Sequence, residues 1–117
     1  MYDRIIYVAG PYRANSEWEL ELNIRAAENA AIALWKKGWA VICPHKNTAH
    51  FGGILPHEAW LAGDLTMLRR LNPHRDAIFL VPGWQRSEGS KGEREIAFLC
   101  GLTIYERMDD VPDLTRD

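Results

Sequence analysis

Three short apolar runs, separated by segments with helical spacing, most constrain what this chain can fold into. The runs occupy residues 4–9 (RIIYVA), 40–43 (AVIC) and 77–81 (AIFLV). Short consecutive apolar runs of this kind are typical of strands buried within a sheet. A fourth strand is predicted at residues 102–105. Because the strands alternate with helices, the pattern predicts βαβ units and a parallel sheet with right-handed crossovers.

Local start signals and apolar periodicity define the helices. Ser16 followed by Glu19 is a capping box, so a long helix is predicted at residues 17–37. Further helices are predicted at residues 57–71 and at about 93–99. We therefore expect the α/β class, as a three-layer sandwich whose doubly wound parallel sheet has four to five strands. The expected strand order is 2-1-3-4 with helices on both faces, a flavodoxin-like or Rossmann-like arrangement.

Composition limits the classes of protein. The 117 residues, 47% of them hydrophobic, suffice for one domain over residues 1–117, with a polar tail from about residue 108. A net charge of −2 and scattered basic residues argue against binding of a nucleic-acid polymer. No apolar run is long enough for a membrane span or a signal peptide, so we expect no membrane association. Cys43 and Cys100 stand alone without a CxxC pair, which is typical of reduced core thiols in a cytoplasmic protein.

The segment 82–97 (PGWQRSEGSKGEREIA) carries the strongest functional signal. A strand, a turn rich in glycine and serine and a helix N-terminus together form an anion-binding cradle. Glu93 is expected in the first turn of that helix, exposed near the ligand and ionised as a nucleophile must be. The alternative is that Glu93 only complements the helix dipole.

The expected strand order brings a second loop to the same place. Ligands of doubly wound sheets bind beyond the carboxyl ends of the strands, where the order switches. Here the switch lies between the first and third strands, so residues 7–11 and 83–93 are expected to line one crevice.

Three segments resemble the nucleoside 2-deoxyribosyltransferase superfamily, which includes the deoxynucleoside 5′-monophosphate N-glycosidases and many small, often phage-encoded members. The resemblance covers residues 7–101. Tyr7-Val8-Ala9-Gly10 is similar to the first strand and turn of the family, and Asp64-Leu65 to its aspartate segment. Ser87-x-Gly89-x-x-x-Glu93-x-x-x-Ala97 is similar to the block that holds the family's nucleophilic glutamate and a serine that contacts the 5′-phosphate.

This resemblance implies cleavage or transfer of the N-glycosidic bond of a nucleoside or nucleoside 5′-monophosphate, without a cofactor. Glu93 would stabilise or trap the oxocarbenium-like sugar. Tyr7 would orient the Glu93 carboxylate by donating its phenolic hydrogen, and Asp64 would bind the sugar or assist protonation of the leaving base. Hydrolysis and transfer both remain open. The alternative function is a catalytically silent nucleotide-binding or sensing module on the same fold.

Eight further residues are predicted to bind the substrate. Ser87 and Ser90 are expected at a phosphate, and Trp84 is expected to stack on a base. The full set is Gly10, Pro11, Tyr12, His45, Trp84, Ser87, Gly89 and Ser90. The loop 44–56, which contains His45, has no counterpart that we can match in the characterised members of the family.

The histidines and Asp76 have simpler interpretations. His45, His50 and His57 are close in sequence, but their spacing is irregular and no cysteine pair accompanies them, so no metal is expected. His57 is predicted to start a helix, and Asp76 to lead into a strand.

The tryptophans suggest an assembly. Trp18, Trp35, Trp39 and Trp60 are predicted to be core or subunit-interface residues. Trp18 and Trp35 point about 100° apart on the first helix, so one is expected to face the sheet and the other a neighbouring subunit. We expect a homodimer or a dimer of dimers formed through the first and second predicted helices. In the family that the chain resembles, neighbouring subunits also help to close the active site.

Overall fold

Four parallel strands form the sheet of the computed structural model, which describes residues 1–115. The strands are β1 (Ile5–Ala9), β2 (Ala40–Ile42), β3 (Ala77–Leu80) and β4 (Thr103–Tyr105). They are hydrogen-bonded in the order β2-β1-β3-β4, with Tyr7 of β1 opposite Ile42 on one side and Ile78 on the other. The predicted α/β class, parallel pairing and strand order are therefore confirmed.

The helices are α1 (Glu17–Lys36), α2 (Pro44–Asn47), α3 (His57–Arg69) and α4 (Glu88–Leu99). Two short 3-10 turns lie at Trp84–Arg86 and Met108–Asp110. The predicted cap of α1 is present, since the Ser16 hydroxyl accepts the Glu19 N–H at 3.1 Å. The region 44–56 was expected to be a loop throughout, but Pro44 starts the helical turn α2, because proline at the first helical position has a compatible φ and lacks only an unused N–H.

The two faces of the sheet bury different residues, because successive side chains of a strand point to opposite faces. Ile6 and Val8 pack on the face covered by α1. Tyr7 and Ala9 pack on the opposite face with Leu68 of α3 and with α4. The position of Tyr7 in β1 therefore directs its side chain towards α3 and α4.

Asp76 joins the start of β1 to the turn before β3. Its carboxylate accepts the backbone N–H groups of Ile5 and Asn72, each at 2.8 Å. The side chain is buried and its acceptors are used within the fold. The prediction that Asp76 leads into a strand is confirmed.

The segment from residue 108, which the sequence predicts as a polar tail, packs against the α1 side of the molecule as far as residue 115. Val111 is buried in that core, and the Pro112 carbonyl accepts the Trp39 indole N–H at 2.9 Å. The Leu114 N–H donates to the Lys37 carbonyl at 2.6 Å. Residues 116 and 117 of the predicted tail lie outside the described residues.

Trp18 and Trp35 both point away from the sheet, with 60% and 46% of their surface exposed. The expectation that one of them faces the sheet is wrong. Smaller apolar side chains occupy the inner face of α1, namely Ile24, Ala27, Ala31 and Leu34. Cys43 and Cys100 are free thiols at half-buried positions, and none of the helices between residues 1 and 115 is long and apolar enough to cross a membrane.

Candidate active site

A cavity of about 570 Å³ opens at the carboxyl ends of β1, β2 and β3. The loop after β1, helix α2, one face of α3 and the N-terminal half of α4 supply its walls. The strand order switches between β1 and β3, and the two loops diverge there to leave space for a ligand. The crevice predicted between residues 7–11 and 83–93 is present.

Glu93 lies in the cavity wall and is hydrogen-bonded from behind by Tyr7. The Tyr7 hydroxyl donates to Oε2 of Glu93, as predicted. Tyr7 is fully buried under α4 and does not line the cavity, whereas the Glu93 side chain does and is 8% exposed. Asp64, half-buried on α3, lines the same cavity. The three residues predicted to be catalytic are therefore brought together by β1, α3 and α4.

Burial changes the pKa values of these three residues. It raises the pKa of Glu93 to about 7, an effect that the Tyr7 hydrogen bond opposes and the charge of Asp64 reinforces. Burial also raises the pKa of Asp64 to about 6. The pKa of Tyr7 is raised well above its usual range by burial and by the neighbouring Glu93 charge, so the phenol stays a hydrogen-bond donor. Between about pH 6 and pH 7 the two carboxyl groups together hold one proton.

Glu93 lies in the second turn of α4, not in the first. The helix begins at Glu88, because the Ser87 hydroxyl caps it by accepting the Ser90 N–H at 3.1 Å. The expectation of an exposed first-turn carboxylate is therefore wrong: Glu93 is one helical turn further in and packs against the sheet. A serine followed directly by an acidic residue is an ordinary signal for the start of a helix, and Ser87 begins such a pair. The glycines of the segment instead favoured a turn, so the start of the helix was predicted too late.

The N-terminus of α4 carries polar groups without partners. The N–H groups of Glu88 and Gly89 have none among residues 1–115. The Ser90 side chain is 1% exposed, and its Oγ also lacks a hydrogen-bond partner in that part of the chain. Ser87, Gly89 and Ser90 all line the cavity, so the predicted cradle is brought to the site.

The loop after β1 and helix α2 form the opposite wall. Gly10 is required there, since a Cβ at this position would lie 2.8 Å from Cβ of Val81. His45 is 6% exposed, with Nε2 2.8 Å from the Pro11 carbonyl oxygen, and the Tyr12 ring contacts its edge at a centroid distance of 5.6 Å. The predicted residues Gly10, Pro11, Tyr12 and His45 all line the cavity.

Trp84 does not line the cavity, so its predicted stacking on a base gains no support from the structure. Its indole N–H donates to Glu106 at 3.0 Å, and the Arg94 guanidinium lies 5.5 Å from its ring centroid. These partners hold the ring towards β4, away from the switch between β1 and β3.

Trp60 of α3 lies in the cavity wall instead, where it also packs against Phe51 at a centroid distance of 6.0 Å. The prediction that Trp60 is a core or subunit-interface residue does not take into account its helical spacing to Asp64. Positions i, i+3, i+4 and i+7 share one helix face. The residues at these positions that line the cavity are His57, Trp60, Leu61 and Asp64.

Two arginines of the site were not predicted. Arg13 and Arg86 line the cavity, and neither forms an ion pair with any residue between 1 and 115. Gly83, at φ +96°, allows the Arg86 guanidinium to approach the backbone: a Cβ there would lie 2.7 Å from Nη2. The position of Arg86 in the turn directly before Ser87 is the feature of the sequence that could have indicated its place in the site.

Within residues 1–115, no three His, Cys, Asp or Glu side chains are grouped as metal ligands would be. His57 is the first residue of α3, as predicted. His50 is exposed, with Nε2 3.8 Å from a Glu21 carboxylate oxygen. The site is therefore built from carboxylates, hydroxyls, arginines and one buried imidazole.

No curated protein matches this chain. One protein family does, and its match begins just before β1, ends just after β4 and contains every cavity residue discussed above. Since this match to the family described as "Domain of unknown function (DUF4406)" extends over residues 4–106, the chain belongs to that family.

Proposed function

We propose that this protein cleaves or transfers the N-glycosidic bond of a nucleoside or nucleoside 5′-monophosphate, as a member of the nucleoside 2-deoxyribosyltransferase-like superfamily. One observation carries the proposal. A buried carboxylate, Glu93, is fixed by the Tyr7 hydroxyl in the wall of a ligand-sized cavity, with a second carboxyl group, Asp64, in the same cavity. A module that only binds nucleotides has no need of this combination.

The geometry supports a two-step displacement. Glu93 Oε2 is held by Tyr7, and Oε1 accepts no hydrogen bond from residues 1–115, so Oε1 is available to attack the anomeric carbon. As the new C–O bond forms, the bond from the anomeric carbon to the base nitrogen breaks, and the base takes a proton from Asp64. Water or a second base then attacks the same carbon, loses its proton to Asp64 and releases Glu93.

The electropositive half of the cavity, where an anion would bind, supports a preference for a 5′-monophosphate. The α4 N-terminus provides free N–H groups at Glu88 and Gly89, and its dipole favours negative charge. Arg13 and Arg86 add two cations that lack carboxylate partners in the described part of the chain. Ser90 Oγ, buried and unpaired, is a further donor for a phosphate oxygen.

The exposed apolar face of α1 supports the proposed homodimer or dimer of dimers. Trp18 and Trp35 lie at opposite ends of this face, and Leu22 and Ile32, each nearly half exposed, lie between them. An apolar surface of this kind usually marks an interface. With the resemblance, it supports an assembly through α1 and α3, the first and second helices predicted from the sequence. The free thiols Cys43 and Cys100 support a cytoplasmic location.

A panel of nucleosides and their 5′-monophosphates, analysed by chromatography for released base, tests the function. We expect base release by the unaltered protein and none by Glu93→Gln. Glu95→Gln is the matched control, because Glu95 is exposed on the same helix and forms no ion pair within residues 1–115. If no panel member loses its base, the glycosidase function is wrong and the silent binding module takes its place. If folded Glu93→Gln keeps near-normal turnover, Glu93 is not the nucleophile and the mechanism is wrong.

The same panel tests the phosphate preference. We expect a higher kcat/KM for the monophosphate than for its nucleoside, and a smaller difference in Ser90→Ala. The nucleoside serves as the internal control, since it lacks the group that Ser90 would bind. Equal rates for both forms in the unaltered protein would contradict the preference.

A further inference from the structure

The His45 imidazole has a defined tautomer. Its Nε2 lies 2.8 Å from the Pro11 carbonyl oxygen, which can only accept a hydrogen bond. Nε2 therefore carries the ring hydrogen. Burial lowers the pKa of His45, and this effect outweighs the opposing effect of the Pro11 and Gly10 backbone groups, so the ring is neutral at physiological pH. Nδ1 is consequently an unprotonated acceptor.

This acceptor has no partner. His45 Nδ1 is buried and receives no hydrogen bond from any residue between 1 and 115. Leaving a buried acceptor unpaired is costly, and such groups are rare without a ligand or water to satisfy them. Since His45 lines the cavity, the missing donor is expected to come from the cavity side.

A second side-chain acceptor follows directly after α2. Thr48, the C-cap residue of α2, comes three positions after His45 and also lines the cavity. Its hydroxyl hydrogen is directed to the Pro44 carbonyl oxygen at 3.3 Å, which leaves the Oγ1 lone pairs available. The α2 wall thus presents two side-chain acceptors whose hydrogens are engaged elsewhere. An amino group, with two N–H donors, matches that pair.

The strand order indicates which part of a nucleotide reaches α2. Helix α4, with Glu93 and the anion cradle, follows β3, whereas α2 follows β2, and β1 lies between them. Neighbouring strands are about 4.8 Å apart, so the two walls are roughly 10 Å apart. With the sugar at Glu93 and a phosphate at Ser90, the base is the part that extends towards His45, beside the aromatic rings of Tyr12 and Trp60.

We propose that His45 determines base specificity, its Nδ1 accepting a hydrogen bond from the exocyclic amino group of an aminopurine or aminopyrimidine base. This inference rests on the proposed nucleotide substrate. His45 contacts the base and takes no part in bond cleavage.

Two variants separate base recognition from loop positioning. His45→Gln places its amide nitrogen three bonds from Cβ, as Nε2 is in histidine. It therefore keeps the donor to Pro11 and has no acceptor at the position of Nδ1. His45→Asn places its amide oxygen two bonds from Cβ, as Nδ1 is, so it keeps an acceptor and loses the donor to Pro11. A purely structural His45 would be replaced better by glutamine, and a base-reading His45 by asparagine.

The experiment measures Kd by titration calorimetry in the Glu93→Gln background, where turnover does not interfere. The probes are two pairs of 2′-deoxynucleoside 5′-monophosphates that differ only in the amino group: adenine against unsubstituted purine, and cytosine against 2-pyrimidinone. In at least one pair we expect the amino base to bind about tenfold tighter, the value of one buried hydrogen bond. That preference should disappear in His45→Gln and partly persist in His45→Asn.

A spectroscopic measurement covers the case in which a variant does not fold. In protein labelled with ¹⁵N-histidine, the His45 Nδ1 resonance should shift on binding the amino nucleotide and not on binding its partner without the amino group. Absence of both the preference and the shift overturns the proposal, as does an equal preference in folded His45→Gln. If the amino base binds tighter but no base is ever released, the glycosidase function fails while the role of His45 stands.

Discussion

The Tyr7 hydroxyl donates a hydrogen bond to Oε2 of Glu93, a residue 86 positions later in the chain. The contact forms because Tyr7 is at a position of β1 that faces α4, and because β3, which leads into α4, pairs directly with β1. The bond is buried between sheet and helix, out of reach of bulk water. It holds a carboxylate at the cavity in one orientation, the main geometric requirement for a nucleophile.

Replacing Tyr7 by phenylalanine should reduce kcat/KM by about tenfold to a hundredfold, the value of a buried hydrogen bond to a charged group. Because this bond lowers the pKa of Glu93, which is the higher of the two carboxyl pKa values, its loss should also move the alkaline limb of the pH profile to higher pH. Steady-state kinetics across pH measure both effects. Tyr105→Phe is the control, since Tyr105 is a half-buried phenol on β4 that packs on the α1 side. A reduced rate with an unmoved alkaline limb would contradict the positioning role.

The activity should have a bell-shaped dependence on pH, with limbs at about 6 and 7. The active form is singly protonated, with Glu93 ionised as the nucleophile and Asp64 protonated as the acid. It is the less populated of the two singly protonated forms, because Glu93 has the higher pKa. Below the lower limb both groups are protonated and the nucleophile is lost; above the upper limb both are ionised and the acid is lost. Profiles of kcat/KM from pH 4.5 to 9 measure this.

Asp64→Asn provides the check on that assignment. It should lose the alkaline limb with the acid and keep a single limb, the titration of Glu93. That limb should lie below pH 7, because the Asp64 charge no longer raises the pKa of Glu93, and no lower than the acidic limb of the unaltered protein. A profile identical in shape to that of the unaltered protein would exclude Asp64 as the acid.

Glu93→Gln should stabilise the fold at alkaline pH. The pKa of Glu93 is raised from 4.5 to about 7, so the folded state is favoured below pH 4.5 and loses that advantage as pH rises through 7. Above pH 8 the ionised, buried carboxylate costs about 3 kcal/mol of unfolding free energy, and an amide removes that cost. Urea unfolding at pH 4.5 and pH 8.5 should show a gain only at pH 8.5. Glu95→Gln, on the exposed side of α4, should show no gain at either pH.

The assembly is expected to depend on the exposed face of α1. Light scattering at micromolar concentration should give at least twice the 13.4 kDa mass of one chain. Trp35→Gln should shift the mass towards the monomer, whereas Lys36→Gln, next to it on the helix, should not. A monomer with full activity would refute the proposed assembly.

Much of the site follows from local pattern and topology. The segment from Ser87 to Glu93, the turn at Gly10 and the helix with Asp64 are recognisable from residue type and spacing. The strand order 2-1-3-4 then brings them to one edge of the sheet. Trp84 and Trp60 show the limit of this reasoning. Both are tryptophans near candidate site residues, and only the partners of their rings, Glu106 for one and Phe51 for the other, separate a residue outside the cavity from one in its wall.

The sequence by itself determined the strands, most helix limits and the parallel topology, because apolar periodicity, caps such as Ser16 and the handedness of crossovers act over short stretches of chain. Tertiary structure alone decided the burial of Glu93, the unpaired Nδ1 of His45 and the packing of Val111. Each of these depends on which atoms of distant residues come close and which polar groups they satisfy. The spacing of residues in one chain does not contain that information, since desolvation and hydrogen bonding are properties of the packed site.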